Sequence, residues 1–262
     1  MNRFSRLELL IGKNGLAALE NSHVAIIGLG AVGSFAAEAL ARSGVGRLTL
    51  IDCDVVGTTN INRQLFALSS TIGEPKVFAA VRRLQDINPE LAIQPVQQFY
   101  HHDTAEELLA PDYDFLIDAI DGVSPKIDLI CRCRERSIPF ISAMGAAGRK
   151  NPGAVGFADL SETSGCPLCR VMRKSLKHKG IREGVPVVFS REPVTAKPLP
   201  PDKVSDRERE EHLQRGRQRF IQPSAVFMPG IFGLLAAQYA IDHLLPGSHK
   251  KTSISEPSVT RW

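Results

Sequence analysis

The sequence predicts an α/β fold, a doubly wound, Rossmann-like and mostly parallel sheet, on three observations. Short apolar runs alternate with segments of helical period through roughly the first 150 residues, the order that winds strands and helices into an open sheet. A glycine-rich turn, Gly28-Leu-Gly-Ala-Val-Gly33, joins the first apolar run to the first helical segment. A chain of 262 residues with 43% hydrophobic content can bury a core of that size.

Residues 24–27 are a short apolar run ending in glycine, which reads as a buried parallel strand. Residues 34–42 follow as a helix stopped at Gly44, and residues 47–51 as the second strand. Pro75 suits the first turn of a helix. Behind it Val77, Ala80, Val81, Leu84 and Ile87 recur at three- and four-residue steps until Asn88-Pro89 ends the pattern. His101-His102 opens a further helix as a capping or surface pair, and residues 113–118 form a strand. Residues 125–136 are then a helix and residues 139–143 a strand.

Order weakens after Asp159. Residues 161–184 are polar and basic, and residues 191–222 hold Pro193, Pro198, Pro200 and Pro201 before a mixed-charge run, which predicts a mobile crossover loop. The expected organisation is a nucleotide-binding domain over 1–160 and a partly flexible crossover over 161–224. A helix over 225–246 completes the domain, and a frayed tail covers 247–262. Residues 225–245 have the length of a membrane span, about 20 residues. Pro229, Gly230, Gly233, Gln238 and Asp242 make a buried closing helix the better reading, and membrane association is not expected.

The formal charge of +4 permits an anionic partner without demanding one. Five cysteines, and an N-terminus without an apolar run, point to a reducing, cytoplasmic setting.

In the glycine turn, Gly28 allows the tight bend, Gly30 lets a phosphate approach the backbone, and Gly33 lets helix and strand pack closely. The helix N-terminus offers unpaired N–H groups to phosphate. Asp52, about twenty residues on, is placed to accept from ribose hydroxyls. To that point an NAD-dependent oxidoreductase explains the residues equally well.

The following loop separates the readings. Hydride transfer has no need of a second acid at Asp54, nor of Asn60, Arg63 and Lys76 close behind. Attack of a carboxylate on the α-phosphorus of ATP does. Charge builds on the α-phosphate while pyrophosphate leaves, so cations must neutralise oxygens on both sides. Arg63 can bridge two oxygens with its fork and Lys76 can act as a point charge. Asp121, just past a strand end, can hold magnesium. Asp54 and Asp118 also suit the capping of loop amides, Arg63 and Lys76 a solvated surface, and Asn60 and Asn62 ordinary turns.

Arg3-Phe-Ser-Arg6, Gly28-x-Gly-x-x-Gly33, Asp52-x-Asp54, Asn60-x-Asn-Arg-Gln64, Gly73-Glu-Pro-Lys76, Ile87-Asn-Pro89 and Asp118-Ala-Ile-Asp121 together resemble the ThiF/MoeB/HesA superfamily, relatives of ubiquitin-activating enzymes. The likeness covers roughly residues 1–160, with an echo at Pro229-Gly-Ile-Phe-Gly233. It implies ATP, magnesium, carboxylate adenylation and a homodimer. On that pattern Asp52 holds ribose, while Asn60 and Arg63 of the Asn60–Gln64 motif and Lys76 of the Gly73–Lys76 motif hold phosphates. Asp121 serves the metal, and Arg6 reaches the partner subunit's ATP.

Ile117-Asp-Ala-Ile-Asp121 with Pro125-Lys126, Ala143-Met-Gly-Ala-Ala-Gly148 and Gly184-Val-Pro-Val-Val-Phe-Ser190 resemble the tRNA-modifying dehydratase branch of that superfamily. Its chemistry activates the threonyl carboxylate of a modified adenosine, which a neighbouring carbamoyl group then attacks to close a ring. Because the second nucleophile sits in the substrate, proximity supplies much of the rate and no protein cysteine is required. None occurs between Arg170 and Trp262, where a thioester-forming activator of sulfur-carrier proteins would be expected to keep one. That activator, with a sulfur-relay protein as partner, is the first alternative. An oxidoreductase and a non-catalytic nucleotide-binding scaffold are the others.

Cys166-Pro-Leu-Cys169 has zinc-knuckle spacing, but tetrahedral zinc needs four ligands. Even with His178 the set is short, so zinc is not expected and two loop cysteines are, with a reactive thiol as the alternative. The pair stands where the dehydratase relatives usually run Asp-Pro-Leu. Cys131 and Cys133 face differently on one helix and should not bridge, and Cys53 reads as strand-end packing. Residues 170–182 carry Arg170, Arg173, Lys174, Lys177, Lys179 and Arg182 with no acid. They read equally as a solvated helix face over Val171, Met172 and Leu176 or as a phosphate-tracking surface for tRNA.

Overall fold

A computed structural model describes residues 3–196, 199 and 221–247. One seven-stranded sheet runs through it in the order β3-β2-β1-β4-β5-β7-β6. The strands are β1 (His23–Ile27), β2 (Arg47–Ile51), β3 (Ala92–Val96), β4 (Phe115–Asp118), β5 (Phe140–Ala143), β6 (Val155–Asp159) and β7 (Pro186–Ser190). All neighbours are parallel except β6, which runs antiparallel to β7 and forms one edge.

Alternation along each strand divides the core between the two faces. Val24, Ile26, Leu48, Leu50, Phe115 and Ile117 pack on one face under helices α2 (Gly33–Arg42), α3 (Lys76–Ile87) and α7 (Phe227–Leu244). Ala25, Ile27 and Leu116 face the opposite way, under α4 (Ala105–Leu108), α5 (Val123–Glu135) and α6 (Pro167–His178). Burial on both sides is why β1, β4 and β5 are buried at every position and largely apolar rather than alternating.

Several elements lacked a readable local signal. Helix α1 (Ser5–Glu20) is two helical pieces joined at Gly12, whose φ of 77° only glycine adopts readily. Strand β3 contains Pro95, which an edge strand tolerates. Strand β6 ends at Asp159, and β7 extends the sheet within the stretch after it that is expected to lose order. The two histidines do not open a helix: Thr104 Oγ1 accepts from His101 N at 3.0 Å, and α4 begins only at Ala105. Cys131 and Cys133 are free thiols on α5. The proline-rich loop lies largely outside the described residues, as does most of the tail.

The closing helix α7 packs across α2. A Cβ on Gly233 would run into Val32 O, and one on Gly230 would meet Phe35 Cε1 at 3.2 Å. These glycines weaken the helix intrinsically but permit the close crossing that supports the start of α2. No helix among the described residues is long and apolar enough to cross a membrane.

Candidate functional site

At the C-terminal end of β1 the chain turns through Gly28 at φ 95°, where a Cβ would lie 2.7 Å from Ala119 O. A Cβ on Gly33 would collide with Gly28 O, so α2 can start tightly against the strand only without one. Gly30 is different. The nearest atom to a Cβ there is Gln64 Nε2, at 3.9 Å, which leaves room for a phosphate against the backbone. The turn therefore has two packing glycines and one that opens the site, with Gln64 beside it.

The acids and the lysine are built from two strand-like stretches. Asp52 follows β2 and accepts from Leu29 N at 2.6 Å and from Asp54 N at 2.8 Å. Val56 N donates to Glu74 O and Lys76 N to Asp54 O, which fastens the start of α3 to the acidic segment. Lys76 is 6% exposed, with Nζ 2.7 Å from Asp54 Oδ2 and 3.9 Å from Asp52 Oδ1. Burial works against its charge, but Asp52 and Asp54 outweigh that and hold its pKa above the ordinary lysine value. Burial raises Asp52, with Lys76 opposing the shift. Lys76 is thus a buried cation rather than a solvated one. Cys53 between the acids is pushed up to about 12 by burial and by their charge, so it remains a thiol.

The Asn60 loop follows. Asn60 is buried, and its Oδ1 accepts from Gly57 N while its carbonyl accepts from Arg63 N and Gln64 N. Arg63 is half-buried, its Nη1 donating to Thr59 O at 2.8 Å and Asn62 Oδ1 at 2.9 Å. Burial lowers its pKa. Ser34 Oγ, on α2, accepts from Leu65 N and ties this loop to the glycine turn. Asn60 and Arg63 act on the loop's own backbone here, and Arg6 is exposed on α1.

At the end of β4, Asp118 and Asp121 separate into two roles. Asp118 is fully buried and accepts from Lys126 Nζ at 2.8 Å, Ser142 Oγ at 2.6 Å and Ile120 N at 3.1 Å. It caps a loop amide, but a buried lysine on α5 is its main partner. Asp121 is exposed just beyond, and the Ala119-Ile120 turn before it abuts Gly28. The motif residues around Lys126 do not by themselves mark it as a structural cation. A signal existed: Lys126, Leu129, Ile130 and Cys133 fall at helical spacing and are all buried, so this lysine sits on the core face.

The basic helix is divided as well. Met172 and Leu176 are buried, whereas Val171 is 44% exposed. Arg173 donates to Thr163 O at 2.8 Å and Leu160 O at 3.2 Å, so it braces a loop. Arg170, Lys174, Lys177, Lys179 and Arg182 are exposed. Cys166 and Cys169 are buried at the N-terminus of α6, not loose in a loop.

The chain matches the ThiF family over residues 4–259. It is 44% identical over 247 residues to the tRNA threonylcarbamoyladenosine dehydratase of Bacillus subtilis, covering 94% of this chain and 95% of that protein. It is 38% identical to the molybdopterin-synthase adenylyltransferase of Escherichia coli over 57% of this chain and 59% of that one. The crystal structure of the E. coli tRNA N6-threonylcarbamoyladenosine dehydratase in complex with ATP superposes with a TM-score of 0.79, at 33% identity over 92% of this chain and 93% of that one. Glycine turn, paired acids, buried lysine and full-length likeness agree: this chain belongs to the ThiF family.

Proposed function

We propose that the protein is an ATP-dependent tRNA threonylcarbamoyladenosine dehydratase. The observation that carries the reading is the buried Lys76 held against Asp52 and Asp54, with Asp52 accepting from Leu29 N in the glycine turn. The likeness to the B. subtilis and E. coli dehydratases supports the choice of substrate.

The glycine turn and the α2 N-terminus take the triphosphate, with Asp52 on the ribose hydroxyls. The threonyl carboxylate attacks the α-phosphorus, forming an acyl-adenylate and releasing pyrophosphate. Lys76 neutralises developing charge as a fixed cation, and the Arg63 fork bridges phosphate oxygens. The carbamoyl group of the same nucleoside then attacks the activated carbonyl, AMP leaves, and the ring closes with net loss of water. Holding both reacting groups in one substrate makes the second step unimolecular.

Asp121 fits magnesium by its chemistry, an exposed carboxylate past the end of β4. Magnesium is commonly bound by one or two carboxylates, substrate phosphates and water. When bound, the ion would neutralise phosphate charge there. Arg170, Lys174, Lys177, Lys179 and Arg182 give tRNA an exposed cationic surface, while Arg173 stays with its loop. A homodimer, with Arg6 reaching the partner's nucleotide, accords with Leu9 and Leu10 on the same helix being 89% and 80% exposed.

The test is to incubate the protein, ATP and magnesium with unfractionated tRNA and digest the product to nucleosides. An adenosine derivative lighter by one water, with stoichiometric AMP, is expected. AMP or pyrophosphate exchange only with a small protein ending in Gly-Gly would instead favour a carrier-protein adenylyltransferase.

A further inference from the structure

Cys166 is the residue before α6, and Cys169 lies in that helix's first turn. The Cys169 side chain and backbone N–H, the Gly145 N–H and the positive charge of Arg149 all favour an anionic sulfur at Cys166. A Cβ built on Gly145 would lie 3.6 Å from Arg149 Nη1 and 3.8 Å from Cys166 Sγ, so cation and sulfur border the same small space. Arg149 is 4% exposed; it donates to the Gly145, Ala147 and Glu192 carbonyls, while Nη2 is buried without a hydrogen-bond partner among the described residues. Thr163 and Arg173 border the Cys169 side.

This surrounding favours one sulfur as an anion and the other as its proton donor. Cys166 is held below the usual thiol value, first by the Cys169 hydrogen bond, against the cost of burial. Cys169 is pushed up by the same bond, by burial and by the neighbouring charge. The other three thiols, Cys53, Cys131 and Cys133, are all raised, with burial the leading cause. A two-residue spacer at a helix start brings the sulfurs together, and such motifs lower the first thiol's pKa.

We propose that Cys166 and Cys169 form a dithiol site that a hydroperoxide oxidises to a reversible disulfide. The Cys166 thiolate attacks the peroxide: an S–O bond forms, the O–O bond breaks, and the leaving oxygen takes a proton and departs as water or alcohol. Cys169 sulfur then attacks Cys166 sulfur, giving up its proton, and the hydroxyl leaves as a second water. Two thiols lose two electrons and the peroxide gains them. Cys166 is only 4% exposed, between exposed Gly165 and Pro167, which suits a small hydroperoxide better than a bulky disulfide. Oxidation removes the sulfur charge from beside Arg149, whose side chain holds the loop after β5.

The test treats the reduced full-length protein with one equivalent of hydrogen peroxide and maps its peptides without reductant. The expected product is a Cys166–Cys169 crosslink lighter by two hydrogens and restored by dithiothreitol. Cys169→Ser should instead accumulate a dimedone-trappable sulfenic acid at Cys166. Arg149→Gln should slow oxidation severalfold and Arg149→Lys should restore it. In the wild-type protein, oxidation confined to Cys53 or Cys131, or equal at all five cysteines, would overturn the proposal whatever the variants do.

Discussion

Two lysine–aspartate pairs sit at the C-terminal edge of one sheet, and they differ in what surrounds them. Lys126 and Asp118 have no solvent exposure, and Ser142 and Ile120 N complete the acid's hydrogen bonds. Lys76 is nearly as buried, but its partner Asp54 has a side chain that is 63% exposed, and Asp52 beside it accepts from Leu29 N in the glycine turn. The closed pair can only position the β4 end. The half-open pair can exchange one partner for an incoming phosphate. Burial of the second partner, not the presence of a lysine–acid bridge, distinguishes a structural brace from a charge poised for a ligand.

The largest expected effect tests the closed pair. Lys126→Met leaves Asp118 charged and uncompensated in the core and should cost about 3–5 kcal/mol. Chemical denaturation followed by circular dichroism measures it, and the double change with Asp118→Leu should recover much of the loss. A single variant as stable as the parent would break the contrast. Next come the open-site cations. Lys76→Met or Arg63→Ala should slow AMP formation by roughly 10²–10³-fold, the scale of losing one preorganised charge contact, without abolishing the folded signal. Asp54→Ala leaves Lys76 the Asp52 carboxylate 3.9 Å away, so it should cost less stability than Lys126→Met. Equal losses of stability at Lys76 and Lys126 would make the two pairs alike.

The smallest effect concerns a carboxylate held without a lysine. Asp159 accepts from Ser161 N and Oγ and from Gly184 N and Val185 N. Burial raises its pKa, but these donors outweigh it and hold it below the ordinary carboxylate value. Its stabilisation is therefore present above that ordinary value and lost as the pH falls through the folded one. Asp159→Asn should flatten the acid limb of a stability–pH curve relative to the parent, while leaving the limb above neutrality unchanged. A parallel offset at every pH would assign Asp159 a packing role instead.

What could be read locally was read because its cause is local. Gly28 and Gly33 declare a turn that no Cβ could enter, Gly30 an open one between them, and the 3.6-residue period of α3 declares its buried face. Strand β3 could not be read, with Pro95 interrupting its pattern and edge position sparing it. Strands β6 and β7 are stabilised by neighbours distant in sequence, so their polar flanks masked them. In the site, residue types at fixed spacing identified Asp52, Asp54, Asn60, Arg63 and Lys76 as a group. Their burial and partners did not follow from spacing.

The sequence by itself determined the alternation that winds the sheet, the phosphate turn, and the family to which the chain belongs. Tertiary structure alone decided which cation is buried beside the opening, which braces the core, and which basic side chain of α6 holds a loop. Charge is written in the residue, but its work depends on the solvent left around it and on partners brought from remote strands. Those are properties of the packed chain.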